Sequence, residues 1–440
     1  MVNFFKASKS KSLIGQVIEL AIKRLDLNGC GVAHYNKKPV FVSGALPNEV
    51  VQAKIIEQKS KFLRANTIEV LETGQQRQTP KCQHFKSCGG CDIQHLVATE
   101  HIPFKQDKVT ELFHRNGLTA QLPWQTPITD QPWQYRRKAR IGVQYGKKGG
   151  VTIGFRQKNT NTLTAITSCV VLVEPLQGIF PLLKKAIESL SVTKAIGHIE
   201  VIATDKVTVV FRQLKKLSEH DISQLLQLAN THSWQLLLDN GNEIVPITSF
   251  SDLSYTLNEN LTINFNLKDF IQVNHEVNLM MVSQAIDWLS CNKQDVVLDL
   301  FCGLGNFSLP IAKLVDSVIG VEGVDSMVAQ ASKNAADNQL TNTEFYQANL
   351  AENWLEAPWG KLGFTKALLD PARAGAFEAL EQLIALHIPT IVYVSCDPAT
   401  LARDSNLLVS NGYQIVKIAI MDMFSQTKHI ETMVLFQKIK

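Results

Sequence analysis

The sequence predicts an α/β protein in three parts. These are a five-stranded N-terminal barrel, a central α+β module and a doubly wound, Rossmann-like parallel sheet. Three observations predict this. Residues 1–72 hold short β-rich segments punctuated by turn residues. Residues 73–265 open on a cysteine-rich run and then mix strand and helix patterns. Residues 266–440 alternate apolar strands with amphipathic helices, the pattern of repeated βα units.

In the first module the strand segments are Gln16–Leu20, Gly31–His34, Val40–Val42, Val50–Ile56 and Ala65–Leu71. Asn28-Gly29, Asn36-Lys37-Lys38 and Pro47-Asn48 separate them. Five such strands fit a barrel of the OB type. This stretch carries 11 Lys/Arg against 6 Asp/Glu, whereas the whole chain has a net charge of only +4. A basic module on a neutral body suggests a polyanionic partner, with Lys59, Lys61 and Arg64 placed to hold phosphate. A solvated lysine-rich face is the alternative.

The bulk numbers fit an ordinary globular chain of 440 residues, 45% hydrophobic and 19% charged. No apolar run approaches the length of a membrane span. Residues 1–16 show lysines but no apolar leader-like stretch, so the expected location is the cytoplasm. There the eight cysteines should be reduced, metal-bound or catalytic.

The central module opens on Cys82, Cys88 and Cys91, with Gly89-Gly90 between the last two. With Cys169 as a distant fourth ligand, four thiolates would suit an iron–sulfur cluster or a structural zinc ion. Three ligands close together and one far away favour a [4Fe-4S] cluster over zinc. His84 and His95 are expected to be ordinary surface histidines. Residues 93–130 look largely helical. Trp133–Arg140 interleaves aromatic and basic residues, a mixture suited to single-stranded RNA or to a basic strand beside buried aromatics. Ile199–Thr204, Val207–Arg212 and Trp234–Leu238 are strand candidates.

In the last part, Val296–Leu300 reads as a strand running into the turn Gly303-Leu304-Gly305. Further strands end at Glu322, Asn349, Asp370 and Cys396, the strand ends at which open α/β sheets bind ligands. Glu322 can accept from both hydroxyls of a ribose. A dinucleotide turn usually needs a third glycine. Asn306-Phe307-Ser308 stands there instead, which points to a ribose ligand without phosphate, such as S-adenosylmethionine. Ile415–Ile420 and Glu431–Phe436 are too close for a helical crossover and should pair antiparallel.

Cys396 follows the buried strand Ile391–Val394 and precedes Pro398, so a thiol sits where a ligand would lie. A buried structural cysteine is the bland reading. A methyl donor, a thiol and the carboxylate Glu431 are, however, the parts needed to methylate a pyrimidine at C5. A thiolate adding to C6 makes C5 nucleophilic, and a base then removes the C5 proton.

The motifs Phe270–Asn274, Asp299–Gly305, Asp370–Arg373, Ser395–Pro398 and His429–Glu431 together resemble the RNA uracil-C5 methyltransferase family. With the barrel, which is similar to a TRAM domain, the likeness covers nearly the whole chain. The barrel and the cysteine set resemble the branch acting on bacterial 23S ribosomal RNA. The resemblance implies that Cys396 is the nucleophile and Glu431 the base. It implies that Gln272, Phe301, Asn306, Glu322, Asn349 and Asp370 line the cofactor and base pocket. It also implies that Cys82, Cys88, Cys91 and Cys169 hold a [4Fe-4S] cluster in an iron–sulfur module. Asn349 departs from the family's usual Asp. No heptad or exposed apolar stripe calls for a dimer, so a monomer is expected. A transfer-RNA methyltransferase and a non-catalytic RNA-binding protein are the competing readings.

Overall fold

A computed structural model describes residues 12–147, 149–158, 160–257 and 261–439. The first eleven residues of the basic module, with Lys6, Lys9 and Lys11, lie outside the described residues. The chain divides into two compact units, Met1–Lys81 with Cys91–Phe104, and Cys82–Gly90 with Lys105–Lys440.

The first unit holds β1 (Val17–Ala21), β2 (Arg24–Leu25), β3 (Gly31–Tyr35), β4 (Lys38–Ser43), β5 (Val50–Gln58) and β6 (Leu63–Glu72). They form one sheet in the order β1-β5-β6-β4-β3-β2. The sequence showed five of these strands. The sixth, Arg24–Leu25, is too short to leave a periodic signal and exists by pairing with β3. Asn36 and Lys37 both take positive φ, 49° and 65°, and make the tight two-residue turn between β3 and β4. Alternate residues of β5 and β6, among them Val51, Ala53, Ile55, Leu63 and Ala65, fill the core of the sheet.

In the second unit the helix expected within 93–130 is confined to α1 (His101–Arg115), whose first residues belong to the first unit. A seven-stranded sheet follows, in the order β13-β12-β11-β10-β7-β8-β9. Its strands are β7 (Lys138–Tyr145), β8 (Val151–Arg156), β9 (Leu163–Ala165), β10 (Ile196–Ala203), β11 (Val207–Gln213), β12 (Gln235–Asp239) and β13 (Ile244–Pro246). Helices α2 (Glu174–Gln177), α3 (Ile179–Ser189) and α4 (Glu219–Thr231) accompany it, and the hairpin of β14 (Leu253–Leu257) and β15 (Leu261–Phe265) comes next.

The C-terminal sheet is built as the alternating pattern predicts. It contains α5 (His275–Leu289), β16 (Val296–Leu300), α6 (Ser308–Ala312), β17 (Ser317–Glu322), α7 (Asp325–Asp337), β18 (Thr343–Gln347) and β19 (Lys366–Leu369). It continues with α8 (Phe377–Ala385), β20 (Thr390–Ser395), α9 (Pro398–Ser410), β21 (Tyr413–Met421) and β22 (Glu431–Lys438). The order is β18-β17-β16-β19-β20-β22-β21. β22 runs antiparallel to both of its neighbours, as the short connection after β21 requires. The central strands are apolar on both faces because helices cover both. Among the described residues no helix is long and apolar enough to cross a membrane.

The iron–sulfur module is corrected by the structure. Among the described residues no group of three or more His, Cys, Asp or Glu side chains is placed to hold a metal ion. Cys82, Cys88 and Cys169 belong to the second unit and Cys91 to the first. Cys88 packs into the apolar core of the middle sheet, where Cys169 joins it partly buried. Burial pushes both thiols up, which favours neutral side chains over the thiolates a cluster needs. The segment 82–90 is tied down by protein contacts instead. Gly89 N–H donates to Arg156 O at 2.8 Å, Gln83 Nε2 donates to Thr167 Oγ1 at 2.9 Å, and Lys158 Nζ lies 4.3 Å from the Phe85 ring centre. His95 is also buried, at 2% exposure, not a surface residue.

One buried acid fixes the loops around the end of β20. Asp404, on α9, is fully buried. Its Oδ2 accepts from Tyr393 OH at 2.7 Å and from Ala376 N–H at 2.8 Å, and Arg403 Nε donates to its Oδ1 at 2.7 Å. Asp404→Ala leaves two buried donors without an acceptor and should cost ~3 kcal/mol of stability in urea unfolding. A loss below ~1 kcal/mol would show that water replaces the carboxylate at no cost.

Candidate active site

The register of the C-terminal sheet assembles the site. Leu300 lies beside both Val321 and Leu369, so Phe301, Glu322 and Asp370 emerge at one level from β16, β17 and β19. Ser395 on β20 pairs with Thr432 on β22. One residue beyond that pair, Cys396 faces Glu431, because antiparallel partners advance in opposite directions. A thiol and a carboxyl thus meet at the carboxyl edge of the sheet.

The turn after β16 is shaped by left-handed backbone. Phe301, Gly303 and Gly305 have φ of 63°, 56° and 90°. A phenylalanine held there marks local strain of the kind found at ligand sites. Gly303 N–H donates to Glu322 Oε2 at 3.3 Å and Val324 N–H to Glu322 Oε1 at 3.0 Å, so the carboxylate is aimed across the turn. The helix after this turn begins only at Ser308 and is five residues long. Asn306 is instead held in an amide pair. Its Nδ2 donates to Asn278 Oδ1 at 2.9 Å, and its Oδ1 accepts from Asn278 Nδ2 and Tyr255 OH, both at 3.1 Å.

Asn349 lies on the surface, and its side chain is engaged locally. Its Oδ1 accepts from Ala351 N–H at 3.2 Å and its Nδ2 donates to Glu352 Oε1 at 2.8 Å. Of the predicted lining, it is the member tied to its own loop.

Buried polar atoms near this turn without a partner include Gln272 Oε1, Arg137 Nη2 and Asp299 Oδ1. Arg137, only 6% exposed, stacks its guanidinium 4.4 Å from the Tyr255 ring centre. Its Nε donates to Gln272 O at 3.0 Å and its Nη1 to His275 Nδ1 at 3.2 Å. Burial, then the Arg137 charge, lower His275 to about 4, so the ring is neutral and free to accept. The basic run around Trp133–Arg140 is therefore largely internal. Arg137 is buried, Lys138 Nζ donates to Leu267 O and Asp269 O, and exposed Arg140 pairs with Glu200.

Titratable groups crowd the site. Burial pushes Asp370 up to about 7. Asp299, on β16 with Ser308 Oγ donating to its Oδ2, is likewise raised to about 7, mainly by burial and further by Asp370 and Glu322. Burial, then Asp370, holds Glu431 well above the carboxylate range, while Lys105 and Arg373 pull it back. Burial, then Glu431 and Asp370, pushes Cys396 up to about 11 against Arg373. An acid-lined pocket with an unpartnered amide oxygen and a free N–H fits a ligand carrying a positive sulfur, ribose hydroxyls and an amino-acid end. S-adenosylmethionine has all three.

Sequence reasoning missed Asp299 as a titrating group, Arg137 as a buried strut and Lys105 altogether. Lys105 had one signal. It shares the apolar helix face of Val109 and Leu112, at i+4 and i+7.

A model of tRNA (Uracil-5-)-methyltransferase matches residues 135–439, and a TRAM domain model matches residues 11–68. The chain belongs to the RNA uracil-C5 methyltransferase family. It is 50% identical over 466 residues to the 23S rRNA (uracil(1939)-C(5))-methyltransferase RlmD of Colwellia psychrerythraea, with 99% of each chain covered. It is 42% identical over 440 residues to RlmD of Aliivibrio fischeri, with 100% of each covered. The crystal structure of the Pyrococcus abyssi tRNA (uracil-54, C5)-methyltransferase shares the fold, with a TM-score of 0.75 at 20% identity, covering 95% of this chain and 100% of that one.

The pocket's charge gives a direct test. With Cys396 near 11, only about one thiol in ten thousand is ionised at pH 7. Alkylation of Cys396 by iodoacetamide, followed by peptide mass spectrometry, should still climb about tenfold per pH unit at about pH 9.5. A plateau near pH 8 would contradict the burial and like-charge environment.

Proposed function

We propose that this chain methylates C5 of a uridine in 23S ribosomal RNA, using S-adenosylmethionine and a transient bond from Cys396 to the uracil. The end-to-end identity with the RlmD relatives carries the substrate. The Cys396–Glu431 apposition supports the chemistry. The transfer-RNA target of the Pyrococcus protein is that protein's own, since at 20% identity the likeness extends to the fold alone.

A uracil stacked in RNA cannot reach a thiol at a strand end, so the base is turned out of its stack, at roughly a few kcal/mol. Cys396 Sγ gives its proton to water and adds to C6, and the electron pair of the C5–C6 bond moves toward O4. S-adenosylmethionine, when bound, supplies a methyl group on a positively charged sulfur. C5 would take that methyl as the sulfur–methyl bond breaks and the sulfur keeps the bonding pair as a neutral thioether. The Glu431 carboxylate then removes the C5 proton, the C5–C6 double bond re-forms, and Cys396 Sγ leaves as thiolate. Glu322 would hold the ribose hydroxyls of the cofactor, with Gly303, Phe301 and Asn306 shaping the turn under it. Gln272 and Asp370 would face the cofactor and base, and Asn349 the adenine side. We place the chain in the cytoplasm, in keeping with eight cysteines that form no disulfide.

Cys396→Ala should reduce methyl transfer to 23S RNA by at least about 10⁴-fold while RNA affinity in a filter assay stays within about threefold of the parent. Methyl label from the cofactor entering only transfer RNA would overturn the substrate assignment. Glu431→Gln should accumulate a methylated protein–RNA adduct on a denaturing gel, because proton removal stalls after methyl transfer. Free product at the parent rate would remove Glu431 from that role.

A further inference from the structure

Lys105 is a lysine with no exposed surface, on α1, far in sequence from the motifs of the site. Its Nζ donates to Asp422 Oδ1 at 2.6 Å and, at 3.4 Å, to Phe424 O. The hydroxyl of Ser425 donates to the other oxygen of Asp422, and Tyr135 OH donates to Ser425 O at 2.9 Å. Asp422 directly follows Met421, and Met421 is the register partner of Glu431. Two segments, α1 and the stretch at Tyr135, thus grip the start of the loop whose far end is Glu431. That loop is itself buried at Ser425, Gln426 and Thr427, and Gln426 is held in left-handed backbone with a φ of 67°.

An ammonium sealed from water is costly unless it is paired, and Asp422 pairs this one, so the ion pair holds the start of the loop in place. We propose that Lys105 is a positioning residue for proton removal: its buried ammonium pins the 422–430 loop and favours the ionised form of Glu431 when the methylated uracil must lose its C5 proton. The inference rests on the reading of Glu431 as the base. Asp370, Lys105, Arg373 and Cys396 are ionisable groups that act on Glu431 from the neighbouring elements, Asp422 is paired with Lys105, and His429 is turned against the Phe424 ring. Asp370 opposes ionisation of Glu431, and Lys105 and Arg373 favour it. Arg373 is exposed and screened by solvent, whereas Lys105 is sealed in, so the lysine acts at lower dielectric.

The test separates the two halves of the reaction in single turnovers with 23S RNA. One readout is formation of the methylated covalent adduct. The other is its resolution to free product, between about pH 6 and about pH 9. Lys105→Met should form adduct within about threefold of the parent rate but resolve it ~10–100-fold more slowly near pH 7. Its rising limb should move about one pH unit higher, because a carboxyl without the cation ionises later. Lys105→Arg should restore resolution to within a few fold. Lys105→Met may not be left to misfold unseen: the neutral pair Lys105→Met with Asp422→Asn removes the orphaned acid and should keep the parent's melting temperature while still resolving slowly. Equal slowing of both steps, or a pH profile that does not move in either variant, overturns the proposal. Glu431→Gln run alongside tells the two failures apart. If it traps adduct while the lysine variants resolve normally, only the role of Lys105 falls. If it traps none, the base assignment falls first.

Discussion

Two strands of opposite direction, β20 and β22, end and begin at the same level, and this register sets a thiol across from a carboxyl. A slip of one residue would turn every side chain of β22 to the other face of the sheet. It would also carry Glu431 away from Cys396. The register is held by apolar pairs on one face of the ladder, Val392 with Leu435 and Val394 with Met433, all buried. On the far side β21 repeats it, with Ala419 opposite Met433. The chemistry is thus set by packing that has nothing chemical about it.

The same packing makes the site electrostatically tense. Asp299, Asp370, Glu431 and Cys396 all bind their protons more tightly than in water, with burial as the first cause for each. Four acidic groups in one pocket cannot all ionise there. A cationic ligand would relieve that repulsion and a neutral one would not, so the charge of the site favours a positively charged ligand.

Much of this was legible in the sequence. The strand ends Glu322, Asp370 and Cys396 could be read from β-branched runs broken by glycine, acid or proline, because parallel strands sealed on both faces leave continuous apolar runs. The antiparallel return of β22 followed from a loop too short for a crossover. Other features were not legible, for physical reasons. Arg24–Leu25 is a strand only through its partner. Cys82, Cys88, Cys91 and Cys169 have a spacing that suits a cluster, but spacing does not report burial, and two of the thiols are drawn into an apolar core. Asp299 reads as one more residue of a glycine-turn motif until its complete burial is seen.

The basic run near residue 137 shows how far charge in a sequence can mislead. Trp133–Arg140 looks like an RNA-reading strip, yet its last residues, Lys138–Arg140, are strand residues of β7 paired with β10. Arginine tolerates this because its planar head spreads one charge over several donors and stacks on aromatic faces. Arg137 does both, against Tyr255 and toward the Gln272 carbonyl. Lysine offers a point charge and has to be matched by a point partner, as Asp422 matches Lys105. Cations buried in this way are spent on contacts within the protein. Phosphate contact then falls to cations that remain in solvent, and even there Lys59 and Arg64 share Glu57 as a partner. Exposed pairs of this kind contribute ~0–1 kcal/mol and exchange readily. A phosphate displacing Glu57 therefore meets little resistance, whereas one competing for Arg137 would have to dismantle the site.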